Sequence, residues 1–197
     1  MKDFTTEQIK KTIQEKGYGW FENGDYNLNI VGVRNSETKN KVTNLFDDVI
    51  YLIFKINGSQ LNISYPITTD PGTKWILKHN VKGGFARLVP GQYRGVYMID
   101  LHLGKYEALC QRNGNVKTFR DINRDMLYDE NTITSGMYGI NIHKAGSDSS
   151  LVNDWSGGCQ VFKRSEDFER FMGIVRNAAK VWGNKFTYTL IESNDIK

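Results

Sequence analysis

The sequence predicts a mainly β (α+β) domain, a β-sandwich or open barrel, with one helix before the sheet and another behind it. Three observations carry this expectation. Apolar runs rich in Val, Ile, Tyr and Phe fill the middle of the chain. Turn residues break them at Asn57-Gly58, Asp70-Pro71-Gly72, Gly83-Gly84, Pro90-Gly91 and Asn113-Gly114. Helical periodicity is confined to the two ends. At 197 residues there is room for one core.

The first element is a short helix. Thr5 and Gln8 can form a capping box, and Phe4 and Ile9 occupy hydrophobic-staple positions. Its apolar stripe is thin, Ile9 and Ile13, and Gly17 and Gly19 follow. Residues 1–22 are therefore expected to be a helical appendage, and residues 23–197 the main domain. Candidate strands are NLNIVGVR, DVIYLIFKI, QLNISYPI, QYRGVYMIDLHL, YEALCQR and MYGINIH, mostly antiparallel. After Cys159 the period changes. Ser165 can cap a helix with Glu166 and Asp167 in its first turn. Phe168, Phe171, Met172, Val175, Ala179 and Trp182 then share one broad face, Gly183 ends the helix, and KFTYTLIE returns as a strand.

Composition removes several function classes. Lys+Arg 26 against Asp+Glu 22 gives +4, dispersed, with no basic block, so no nucleic-acid partner is expected. No apolar run approaches the roughly 20 residues of a membrane span. The segment MKDFTTEQIKKTIQEKG lacks the apolar region of a signal peptide, which leaves the route of delivery open. Two cysteines allow one bridge at most, and no CxxC or His/Cys cluster suggests zinc. No cofactor and no metal are expected, and a monomer is the expected state.

Cys110 alternates with Tyr106 and Ala108 and reads as a buried, inert thiol. DINRD, residues 121–125, matches the first ligand positions of a calcium loop, but Met126 stands where Gly is needed and Thr132 where Glu is needed. A solvated acidic turn is the simpler reading. His102 alternates with Asp100 and Gly104, opposite Ile99, Leu101 and Leu103, and reads as a structural or surface histidine. His79, in LKHNVKGG, reads as a loop residue.

Residues 139–161 concentrate the chemistry. In MYGINIH, Ile140 and Ile142 take one face and Gly139, Asn141 and His143 the other, so His143 is expected to open onto a groove or solvent. A polar loop leads to Trp155 and then Ser156-Gly157-Gly158-Cys159. Cysteine chemistry needs a base to form thiolate and backbone amides to hold an oxyanion. His143 can supply the first, and the backbone of Gly157, Gly158 and Cys159 the second. Asn141 or Asp154 can orient the imidazole. On residue types alone the same glycines make an ordinary turn, and Trp155 suits a core as well as a substrate.

The segment resembles the catalytic signature of the YkuD-type L,D-transpeptidases, in which a histidine is followed by Ser/Thr-His-Gly-Cys. Here His143, Ser156, Gly158 and Cys159 match in order. The likeness extends upstream through TTDPGTKW and LVPGQYRGVYMI, over the middle and later two thirds of the chain. Gly157 stands in place of the family's second histidine, Gln160-Val161 replaces the arginine two residues after the cysteine, and the loop is slightly short. The resemblance implies an L,D-transpeptidase-like fold and peptidoglycan stem peptides as substrate at the cell wall. It implies a Cys159 thioester formed with His143 as base, a base oriented largely by a backbone carbonyl, and Ser156, Trp155, Gln160 and Asn141 near the substrate. Transfer to an amine, or hydrolysis to a carboxypeptidase or endopeptidase product, both follow from that chemistry. Two other readings stay open: a non-catalytic cell-wall peptide- or glycan-binding module on the same fold, and a phage- or toxin-type peptidoglycan hydrolase.

Overall fold

A computed structural model describes residues 3–78, 81–128 and 132–197; His79 lies outside the described residues. In chain order the strands are β1 (Asn29–Arg34), β2 (Asp48–Ile56), β3 (Ser59–Thr68), β4 (Phe85–Leu88), β5 (Gly91–His102), β6 (Tyr106–Gln111), β7 (Val116–Asp121), β8 (Ile133–Gly136), β9 (Ile142–Lys144), β10 (Gln160–Phe162) and β11 (Phe186–Glu192). The helices are α1 (Thr6–Glu15), α2 (Thr73–Lys78) and α3 (Ser165–Trp182).

The main sheet closes into a barrel in the order β1-β11-β5-β6-β9-β10-β3-β2, rather than ending in free edges as a sandwich or open barrel would. Closure satisfies the edge N–H and C=O groups that an open sheet leaves unpaired. Most neighbours are antiparallel, and the long β2–β3 hairpin turns at Asn57-Gly58, both at positive φ. Two pairs are parallel: β1 with β11, and β9 with β10. A parallel pair needs a crossover of about a dozen residues or more. The polar loop between β9 and β10 is that crossover, and it returns Cys159 to the strand beside His143.

The barrel and α3 share one core. Phe54, Ile67, Tyr97, Leu109, Phe162 and Tyr188 pack with Phe168, Phe171, Met172 and Val175 of α3. Glycine at position 32 is required inside it, because a Cβ there would overlap the Tyr188 hydroxyl. Two expectations for α3 change. Arg164, not Ser165, is the N-cap, with no side-chain capping bond, and Ser165 is the first helical residue. Trp182 is half exposed at the end of the apolar face, where its Nε1 donates to Asp25 O at 2.8 Å, while Ala178 is buried in its stead.

On α1 both halves of the capping box form between Thr5 and Gln8. Ile9 and Ile13 pack against Val31, Val33, Tyr51, Ile53 and Ile191 on the barrel's outer wall. Each buried isoleucine stabilises this docking by about 2 kcal/mol. A second sheet, β4-β7-β8, has its own cluster of Val42, Ile76, Phe85 and Tyr128. It lies behind the turn that leads into Cys159: Ala86 O of β4 occupies the space a side chain at residue 158 would need.

Candidate functional site

The register of the parallel pair sets the geometry. Gln160 is opposite Ile142, and Val161 is opposite His143. One step back along both strands, Asn141 O accepts from Gln160 N at 2.9 Å, and Asn141 N lies beside Cys159. By strand alternation Cys159, Val161, Asn141 and His143 share one face, while Gln160, Phe162 and Ile142 take the other. Thiol and imidazole are therefore diagonal neighbours on adjacent strands.

Cys159 is reached through a turn that only its own residues fit. Gly158 has φ +126°, in the region L side chains avoid, and a Cβ there would overlap Ala86 O. At Gly157 a Cβ would sit 2.8 Å from Trp75 Nε1, so the indole of α2 takes the room a histidine would use. Ser156 is buried and locks the turn: its Oγ donates to Cys159 O at 3.0 Å and accepts from Gly158 N at 3.1 Å. The Gly158 amide is thereby engaged within the turn, contrary to its expected place in an oxyanion hole. Gly157 N and Cys159 N have no hydrogen-bond partner among the described residues. The amides open to an oxyanion are those two.

The thiol is held by backbone. Asn141 N donates to Cys159 Sγ at 3.4 Å, and Sγ donates to Gly139 O at 3.4 Å. Burial pushes this thiol up to about 11, with the Asn141 amide acting the other way. His143 is 5% exposed, so it does not open onto solvent as alternation suggested. The other face of β9 is core, but its own face is covered by the β5–β6 hairpin. Burial, reinforced by neighbouring His102, depresses its imidazole to about 3. The resting pair is thus a neutral thiol and a neutral imidazole.

The tautomer of His143 follows from its partners. A carbonyl can only accept, so the 3.0 Å contact between Nδ1 and Lys144 O puts the proton on Nδ1. Nε2 then carries the lone pair a general base needs. Tyr106 Oη lies 3.5 Å from Nδ1 and donates to Lys144 O at 3.4 Å. The His143 ring is oriented by Lys144 O, not by Asp154, which pairs with Lys74 and Lys78 on the surface at 3.4 and 3.6 Å.

The expected substrate residues separate. Trp155 is 46% exposed and flanks the turn. Gln160 is fully buried, donating to Gly158 O and accepting from Tyr188 Oη at 2.9 Å, so it braces the barrel instead of facing a ligand. Asn141 is also buried, its Oδ1 accepting from Gln111 N at 2.9 Å. Sequence reasoning missed His102, which is 8% exposed and stacks on His143 with ring centroids 4.1 Å apart. Alternation set it opposite Leu101 and Leu103, but those leucines are the exposed ones and His102 faces inward, and the pairing of β6 with β9 that brings the two rings together was not readable.

Other expected features fall elsewhere. Cys110 is fully buried, its Sγ donating to Asp100 O at 3.5 Å, and burial raises it. In DINRD, Asp121 is fully buried rather than solvated and accepts from Arg124 N and Met126 N. No group of three or more His, Cys, Asp or Glu among the described residues is placed to hold a metal. Among the described residues no helix is long and apolar enough to cross a membrane. A cavity of about 630 Å³ is lined by Phe4, Phe46, Asp47, Tyr65 and Ile196 among others, and Cys159 does not line it. No family model, curated protein or solved structure matches the chain.

Proposed function

We propose that the protein is a cysteine acyltransferase of the L,D-transpeptidase type, acting on peptidoglycan stem peptides. The observation that carries this reading is the placement of Cys159 and His143 on one face of adjacent parallel strands, with Gly157 N and Cys159 N unengaged beside the thiol. The closed barrel and the His143…Ser156-x-Gly158-Cys159 order are compatible with the resemblance noted above.

In the proposed step the thiol S–H turns from Gly139 O toward His143 Nε2, and the substrate carbonyl carbon is brought up to Sγ. His143 Nε2 takes the Sγ proton as sulfur attacks the carbonyl carbon, and the oxyanion rests on Gly157 N and Cys159 N. Collapse breaks the C–N bond, and the proton on Nε2 passes to the leaving amine. An acceptor amine then gives a new peptide bond, and water gives the hydrolysed product. Because the resting pair is neutral, the proton moves during attack rather than before it.

Defined muropeptides incubated with the protein, with products read by mass, test this. Turnover accompanied by an acyl adduct on Cys159, both lost in Cys159→Ala, is the expected result; unchanged turnover in Cys159→Ala overturns it. One observation favours the binding-module reading: the thiol bonds only to backbone and is strongly disfavoured as thiolate. Saturable muropeptide binding without any product or adduct would establish that alternative.

A further inference from the structure

We propose that His102 is a positioning residue for the base His143: its imidazole is a fixed platform that sets the plane of the His143 ring and must itself stay neutral for His143 to accept the thiol proton. This rests on the Cys159–His143 reading above and adds a residue that neither motif nor strand spacing identified.

The platform is fixed from one side by Asn141. Because Asn141 Oδ1 accepts from Gln111 N at 2.9 Å, the orientation of its amide is decided, and Nδ2 is the atom 3.0 Å from His102 Nδ1. Nδ2 can only donate, so His102 Nδ1 accepts and its proton sits on Nε2. The two rings lie 4.1 Å apart with an interplanar angle of 20°, a stacked pair. Tyr106 flanks the pair, its ring 5.6 Å from that of His102 and its hydroxyl 3.5 Å from His143 Nδ1 and against Lys144 O. Asn141 thus joins the two halves of the site: its main-chain N–H holds Cys159 Sγ and its side chain holds His102.

Charge explains why neutrality matters. A cation on His102 at 4.1 Å would oppose a second cation forming on His143. The surroundings keep His102 neutral: burial, then Arg112 and Lys105, lower it. From β5 and β6, Asp100 is engaged by Arg112 Nε at 2.6 Å and so offers His102 no free counter-charge. From β9, Lys144 lies over the Tyr106 ring and pairs with Glu169 of α3 at 2.6 Å. Cys110 and Cys159 are both held as thiols by burial. No carboxylate among the described residues bonds to either imidazole.

Alkylation of Cys159 by iodoacetamide tests this without any muropeptide. Sulfur displaces iodide, forming a C–S bond as C–I breaks, and the thiol proton leaves through His143. The rate is followed from pH 4 to pH 9 by peptide mass, which counts Cys110 separately, with near-UV circular dichroism confirming the fold at each pH. In the natural sequence the rate should fall on the acid side by about tenfold per pH unit, as the first proton goes to His102 and opposes protonation of His143. His102→Phe keeps a stacked ring that cannot titrate. It should preserve the plateau within about threefold and extend it toward acid by about one pH unit or more. His102→Ala should lower the plateau by about tenfold or more. A wild-type plateau and acid midpoint in His102→Ala overturn the proposal. So does an unchanged acid midpoint in His102→Phe, which decides the matter alone if the alanine variant fails to fold. His143→Gln separates the two levels: a Cys159 rate indifferent to it overturns the Cys–His pair itself. The predicted His102 pattern without muropeptide turnover leaves the positioning role standing and removes only the substrate.

Discussion

In the turn at residues 121–127, Asp121 accepts from Arg124 and Met126 N–H, Asn123 accepts from Asp125 N–H, and Asp125 accepts from Leu127 N–H. In the turn at residues 156–159 only the Gly158 N–H is taken, by Ser156 Oγ, and the amides on either side stay open. The first turn carries more charge and looks more like a binding site in the sequence, yet its acceptors are consumed in holding its own backbone. The second is nearly uncharged and keeps its donors. Capacity for chemistry follows from the groups that folding leaves unengaged, not from how polar a segment is. A catalytic donor set must be oriented yet unsatisfied, a condition other buried polar groups avoid.

The sharpest way to break the comparison is to disturb the glycine that keeps the second turn open. Gly158→Ala places a Cβ against Ala86 O at φ +126°. It should cost about 2–4 kcal/mol of stability. Because Gly157 N and Cys159 N then lose their common orientation, Cys159 acylation should fall far more than melting temperature predicts. Denaturant unfolding and adduct formation measured on the same variant check both parts. If stability drops while acylation persists, the open amides are incidental.

Much of this contrast was readable before the fold was known, but not all. Segments with strong β patterning, such as DVIYLIFKI and FTYTLIE, appear where the period placed them, as β2 and β11. Short strands did not announce themselves: β4, β8 and β10 run for only three or four residues, too few for a period to register. For the site, Cys159 and the need for glycine were visible in local spacing. The hidden parts are the non-local ones: Trp75 filling the space beside Gly157, Ser156 engaging Gly158, and His102 stacking on His143. Each depends on which strands pair, and one sequence states that only weakly.

His143 offers a gentler probe, through linkage. Its imidazole is depressed to about 3 by burial and by His102, against about 6.5 in the unfolded chain. Between those values the unfolded state binds the extra proton, so native stability contributed here is full above pH 6.5 and is lost as pH falls toward 3. Asp48 works oppositely: burial and Asp70 raise its carboxyl, so its ionisation costs stability as pH rises through that range. Comparing His143→Gln with the natural sequence at each pH cancels the Asp48 contribution. The gap between them should shrink by on the order of 2 kcal/mol from pH 7 to pH 5. A constant gap in denaturant midpoints would mean His143 titrates in the native state as it does in the unfolded chain, and a widening gap that it is held charged; either would overturn the neutral resting pair.

Calcium should produce the smallest response, and its size is what decides the status of the first turn. To bind the ion, Asp121 and Asp125 would have to release the amides of Arg124, Met126 and Leu127, and Asp121 would have to do so while fully buried. Each released amide costs about 1–3 kcal/mol if nothing replaces its partner. A site built that way starts several kcal/mol behind an open loop of similar sequence. Millimolar calcium, or a chelator, should therefore shift the melting temperature by less than about 1 °C, because a ligand stabilises only in proportion to its occupancy of the native state. A larger calcium-dependent rise would show that the bonds within residues 121–127 give way to a ligand, and the contrast between a self-satisfied turn and an open one would then fail at its first member.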